Sequence, residues 1–197
     1  MDGIKLKISK PKDKLSAGSS KLFGNPGVWD GFEWPYIEEN GEKYDLTFMC
    51  QINCTDSAVF DKDELLPKTG ILYFFYDLDT MPEATDEKSA RVLWYNGELS
   101  ALHEMILTDE DGNSLAFSEQ RIDFDVADAD EKSSSLLLGD MTQSCDFIND
   151  RLPLLRIGSL ETEDAEIRVQ DNGALCFYIE EEKLGAHDFS EVKAAQI

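Results

Sequence analysis

Eight residues, Ile71 to Leu78 (ILYFFYDL), constrain the fold of this chain more than any others. They are dense in aromatic side chains, opened by Gly70 and closed by the loop DTMPEATDEKS, and so read as the strongest strand in the sequence. The pattern around them recurs. LTFMCQIN followed by LLPKTGILYFFYDLD resembles LPLLRIGS followed by VQDNGALCFYIEEE. Each copy has an apolar strand with a polar residue before isoleucine (Gln51-Ile52, Arg156-Ile157), an acidic connector, and a glycine opening an aromatic strand. Gly70 to Phe75 align with Gly173 to Tyr178. A separation of roughly a hundred residues is too long for a solenoid, so the echo predicts two related β halves sharing one core.

Other segments fit a β-rich chain. IKLKIS alternates apolar and basic residues with the period of a half-buried strand, placing Ile4, Leu6 and Ile8 on one face, and is expected at a sheet edge. KPKDKLSAGSS follows as a flexible connector. Asn40-Gly41 is a hairpin-turn signal and Asp111-Gly112 a second tight turn. Asp61 to Leu66 is expected to form one helical turn ended by Pro67. Arg91 to Tyr95 and the alternating RIDFDVAD are further strands. The stretch from Ala127 to Asp150, acidic and then apolar, is expected on the surface with a short helix before Gly139.

Charge narrows the partners. The 197 residues carry 41 acidic and 18 basic side chains, a formal net charge of -23. Nucleic acids and anionic membranes are held by basic patches, so neither is an expected partner; a basic protein is. With no apolar stretch of membrane-spanning or signal-peptide length, a cytoplasmic location is expected. The length supports one domain over 1–197, with 1–19 as edge strand and connector and 20–197 as core. The oligomeric state is not legible.

No motif for catalysis emerges. Cys50, Cys54, Cys145 and Cys176 lack C-x-x-C spacing and are expected as reduced thiols. His103 and His187 lie far from them, so no zinc site is expected. His103-Glu104 continues to Leu107, where a metalloprotease helix would need histidine. The acidic run DFDVADADE lacks the glycine and glutamate spacing of a calcium loop. G-x-S-x-G and phosphate-binding glycine loops are also missing. The expectation is a non-catalytic protein with no cofactor or metal.

The loop KLFGNPGVWDGFEWP loads aromatics among glycines and prolines. Its rings either anchor the loop in a core or line a binding cleft, with Lys21 as a charged rim group. Together with LTFMCQINC, LLPKTGILYFFYD, LLLGDMTQ, LPLLRI and the tail from Asp171, the stretch from Ser20 resembles the YwqG-like family, mostly bacterial proteins built on one domain of unknown function. The resemblance implies a mainly β, roll-like fold with a few short helices, a β-rich α+β class, and brings no catalytic residues. Two function classes follow. One is an interaction protein, such as an acidic immunity-type protein neutralising a basic toxin. The alternative is a small-ligand binder or enzyme with a cleft between the halves; Lys21, Trp29, Trp34 and Arg156 are the candidate binding residues.

Overall fold

A computed structural model describes residues 3–80, 89–127, 135–138, 151–167 and 173–196. The chain is mainly β. In order, the described strands are β1 (Ile4–Ser9), β2 (Lys21–Leu22), β3 (Gly27–Val28), β4 (Tyr36–Glu39), β5 (Glu42–Asp45), β6 (Thr47–Asn53), β7 (Ile71–Tyr76) and β8 (Ala90–Tyr95). There follow β9 (His103–Glu104), β10 (Gln120–Val126), β11 (Leu136–Leu137), β12 (Arg151–Gly158), β13 (Leu160–Glu161), β14 (Glu166–Ile167), β15 (Ala174–Glu180) and β16 (Lys193–Gln196). Two short helices, α1 (Cys54–Ser57) and α2 (Glu181–Gly185), follow β6 and β15. Among the described residues no helix is long and apolar enough to cross a membrane.

Ten strands form one antiparallel sheet in the order β16-β15-β12-β11-β1-β10-β2-β6-β7-β8. Its end strands, β8 and β16, contact each other, so the sheet curls nearly closed. The inner face carries the main core, where Leu22, Cys50, Phe74 and Val92 lie in register across β2, β6, β7 and β8. The outer face of β6 and β7 presents Phe48, Ile71, Tyr73 and Phe75, and the aromatic loop covers them with Trp29, Phe32 and Trp34.

The predicted echo is an internal two-fold. Ile52 opposes Leu72 on β6 and β7, and Ile157 opposes Leu175 on β12 and β15. Both pairings break register three residues earlier, at Met49 and at Leu154, where a β-bulge inserts one residue. The carbonyl of each bulge residue accepts a hydrogen bond from the residue just after a two-residue strand: Phe23 N at 2.8 Å and Leu138 N at 2.9 Å. Phe23 and Leu138 both take positive φ, 56° and 58°, a conformation rare for bulky residues. Ser20 Oγ accepts from Asn53 N at 2.9 Å, and Ser135 Oγ accepts from Gly158 N at 3.2 Å. Phe74 and Phe177, the equivalent rings, meet edge to face at 5.3 Å in the core.

The halves are interlocked by their first strands. In chain order β1, β2, β6, β7 and β8 correspond to β10, β11, β12, β15 and β16. Yet β1 hydrogen-bonds β11 of the second half, and β10 hydrogen-bonds β2 of the first. β1 and β10 then pair with each other along six residues, Lys7 opposite Asp123.

Four expectations need correction. β1 is an interior strand, because its outward lysines face an acidic strand: Lys5 opposes Asp125, Lys7 opposes Asp123, and Lys7 also ion-pairs with Asp125. The 10–20 connector is tied down rather than flexible. Gln51 Nε2 donates to Ala17 O and Ser19 O at 2.7 and 2.8 Å, and Asn53 Nδ2 donates to Gly18 O at 3.0 Å. The helical turn lies at Cys54–Ser57, where the Asn53 side chain caps Thr55 N at 3.0 Å; Asp61 instead accepts from Leu66 N within a turn. Before position 139 the chain is β11, with Leu137 and Leu138 buried in the core, not a surface helix. The rest of that acidic and apolar stretch up to Asp150, and Cys145 with it, lies outside the described residues.

Candidate functional site

The aromatic loop is shaped by its own backbone needs. Gly27 passes so close to the connector that a Cβ there would lie 1.9 Å from Ala17 O. Its N–H donates to Gln51 Oε1 at 2.9 Å, and its carbonyl accepts from Tyr73 Oη at 2.5 Å. Beyond it, Trp29 stacks on Tyr95 at 4.9 Å, Phe32 bridges to Trp34, and Trp34 Nε1 donates to Leu46 O at 2.9 Å. The rings are half-buried in a second core on the outer face of β7. This packing accounts for aromatics in a loop, since apolar burial orders a segment without regular backbone pairing.

The four candidate binding residues do not converge. Lys21 shares an outer-face register row with Gln51 and Tyr73, and Trp29 packs on Tyr73 at 5.8 Å, so Lys21, Trp29 and Trp34 occupy one half. Arg156 is buried on β12 in the other half; β10, β1 and β11 stand between its strand and β2.

Lys21 is 1% exposed. Its Nζ lies 3.6 Å from Glu119 Oε2. Burial pushes its pKa below the ordinary 10.5, and the negative charges of Glu119 and then Glu104 oppose that shift. Glu119 also accepts from Leu15 N at 3.2 Å, and Lys14 pairs with Glu104 at 2.5 Å.

A cleft lies elsewhere. About 460 Å³ opens along the connector between β1 and β2. The connector supplies Lys10, Lys12 and Lys14, β10 supplies Arg121, and Asp13 and Asp123 bring the opposing charge. Ser9, Ser16 and Ser19 add hydroxyls. Three of the cations hold carboxylates: Lys10 with Glu163 at 2.5 Å, Lys14 with Glu104, and Arg121 Nε with Asp123 at 3.0 Å. Lys12 has no such partner among the described residues. The Ser16–Ser19 wall is held from beneath by the buried Gln51 amide. Sequence reasoning that averaged charge over the whole chain passed over this site, although the signal was present. Lys5, Lys7, Lys10, Lys12, Lys14 and Lys21 face only Asp2 and Asp13 in the first 21 residues.

A third feature is the β4–β5 hairpin. Asn40 and Gly41, with φ of 53° and 86°, make the turn that its twist requires. Ile37 points into the aromatic cluster, while Tyr36 and Tyr44 remain 40% and 48% exposed. Glu38, Glu39, Glu42 and Asp45 are exposed around them. Lys43 sits over the Tyr36 ring at 3.8 Å.

Cys50, Cys54 and Cys176 are buried free thiols; burial raises Cys50 and holds Cys54 at about 12, far from a nucleophile's range. His103 is exposed, 3.8 Å from Asp30. No curated protein matches the chain. The family model described as a domain of unknown function (DUF1963) matches residues 20–147, from the start of the buried β2 through the β11 region, and the chain belongs to that family.

Proposed function

We propose that this member of a family of unknown function, YwqG-like in its motifs, is a non-catalytic cytoplasmic protein that binds a basic partner protein through the β4–β5 hairpin. An immunity-type role against a basic toxin is the form of this reading that its charge suits best. The hairpin carries the argument: two exposed tyrosines sit among Glu38, Glu39, Glu42 and Asp45. Tyrosine is a frequent anchor at protein interfaces, and a carboxylate rim both speeds and selects encounters with a cationic surface. The competing reading, a small-ligand or enzymatic cleft around Trp29, Trp34 and Arg156, draws less support. The indoles are packed against Tyr95, Phe75 and the Leu46 carbonyl, and Arg156 lies in the other half.

The test uses the full-length protein as bait in lysate of its native host, followed by purification of what it retains and measurement of association rates. The expected result is a basic protein whose association rate falls steeply between low and physiological salt. The charge-swapped Glu38→Lys/Glu39→Lys/Glu42→Lys variant is expected to slow that rate at least tenfold. A retained protein without basic character, or equal rates for the variant, overturns the reading.

A further inference from the structure

We propose that the cleft formed by the β1–β2 connector against β10 binds a small ligand bearing a phosphate group, gripped by Lys10, Lys12, Lys14 and Arg121. The site is independent of the hairpin, and its test succeeds or fails separately.

Three observations lead there. The first is sign. In a chain of net charge -23, four cations line one cleft beside two carboxylates, Asp13 and Asp123, while Glu163 and Glu104, which pair with Lys10 and Lys14, are not among the lining residues. The Lys10–Glu163 and Arg121–Asp123 pairs are exposed at both partners, and exposed pairs contribute little to stability, so an incoming anion displaces them at little cost. Lys12 holds no carboxylate among the described residues.

The second is pre-organisation. The cleft wall is not a loose loop. Ser16 and Ser19 hydrogen-bond through their hydroxyls at 2.8 Å, Ser19 N donates to Ser16 O at 3.1 Å, and Gln51 fixes the Ala17 and Ser19 carbonyls. Leu15 is buried and Pro11 limits the backbone between Lys10 and Lys12. A site whose frame is already ordered loses less entropy on binding.

The third is size set against the surrounding field. About 460 Å³ falls within the range of small-molecule sites. A compact dianion buries its charge inside this island, while acidic groups beyond a Debye length of about 8 Å are screened. A nucleic-acid strand would extend out of the cleft across an acidic surface and be repelled by it. Phosphate suits the donors because its terminal oxygens accept from ammonium, guanidinium and the hydroxyls of Ser9 and Ser16 together.

The experiment is calorimetric titration of the full-length protein at low salt with inorganic pyrophosphate. Citrate and a ten-nucleotide single strand serve as alternative ligands. Saturable pyrophosphate binding is expected. Lys12→Glu should weaken it at least tenfold and Lys10→Glu/Lys12→Glu should abolish it. Lys43→Glu, on the hairpin, should leave it unchanged. All three positions are exposed, so circular dichroism should report an intact fold throughout. The proposal is overturned by absence of pyrophosphate binding up to millimolar concentration, by equal affinity of Lys12→Glu, or by citrate or the oligonucleotide binding as tightly as pyrophosphate.

Discussion

The two halves of this protein solve the same backbone problem with different side chains. Bulges at Met49 and Leu154, positive φ at Phe23 and Leu138, and serine caps at Ser20 and Ser135 recur at matching places. On the inner face the equivalents stay apolar, as with Ile52 and Ile157 or Phe74 and Phe177. The outer face diverges. Where the first half has Lys21, Gln51 and Tyr73 across β2, β6 and β7, the second has Leu136, Arg156 and Cys176 across β11, β12 and β15. Duplication therefore constrains what the core and the strained backbone demand. The outer row is free to acquire other duties, and in the first half it holds the aromatic loop and the cleft wall.

Strand exchange gives the comparison its largest test. Because β1 sits beside β11 and β10 beside β2, neither half completes its own sheet. Chain cleavage at Gly112, exposed in a turn, would separate the copies without touching a sheet strand. The fragments 1–112 and 113–197 are expected to lack a cooperative unfolding transition when prepared alone and to regain native circular dichroism when combined. A fragment that folds alone as a monomer would show that the halves are autonomous and the exchange incidental.

Gln51 sharpens the outer-row difference. Its amide joins Gly27, Ala17 and Ser19, and replacement by methionine keeps the length while removing all three hydrogen bonds. Leaving buried backbone groups unpaired costs about 1–3 kcal/mol, so Gln51→Met should lower stability by that amount in urea titration. Amide exchange should accelerate at Gly27, whose N–H bonds Gln51, while the β12–β15 amides keep their protection. Uniform loss of protection would mean that Gln51 serves the global fold and not the connector.

The legibility of the sequence follows the same division. The aromatic strands and their echo could be read because burial on a sheet leaves an apolar, β-prone pattern in every copy. The Asn40-Gly41 turn was readable because its chemistry is local. β11 was not, because two residues cannot show a period; its order comes from β1 and β12 on either side. The edge placement of β1 failed for a related reason, since lysines on a strand signal an edge until an acidic neighbour is known. The same holds for the connector, whose polar composition hid that Gln51 and Asn53, far along the chain, supply its partners. Lys21 and the tryptophans stood out in the sequence by composition, and the structure places them in the first half but not among the residues that line the cleft. The cleft lysines were lost in the net charge of the whole chain.

Lys21 and Leu136 provide the smallest and most specific test. They are equivalent residues of β2 and β11, one charged and one apolar in matching strand positions. Replacing a buried charge with an apolar side chain removes its desolvation cost, and the penalty of stranding the opposite charge is small where that partner reaches water. Lys21→Leu should therefore change stability by less than about 1 kcal/mol near neutral pH. Its Glu119 partner is partly exposed and is solvated by water once the lysine is gone. The pH dependence separates this from a bland substitution. Burial lowers the folded-state pKa of Lys21 below 10.5, so below that folded pKa both folded and unfolded chains carry the proton and the native state bears the full cost of burying it. As pH rises through the folded pKa toward 10.5, the native state releases its proton first and the unfolded state binds more. Stability contributed by this group then increases with pH across that window. The difference between wild type and Lys21→Leu, followed by urea titration from pH 7 up to 10.5, should shift toward the wild type. A flat difference would show that Glu119 compensates the buried charge in full, and that the two halves differ at this position in chemistry but not in energy.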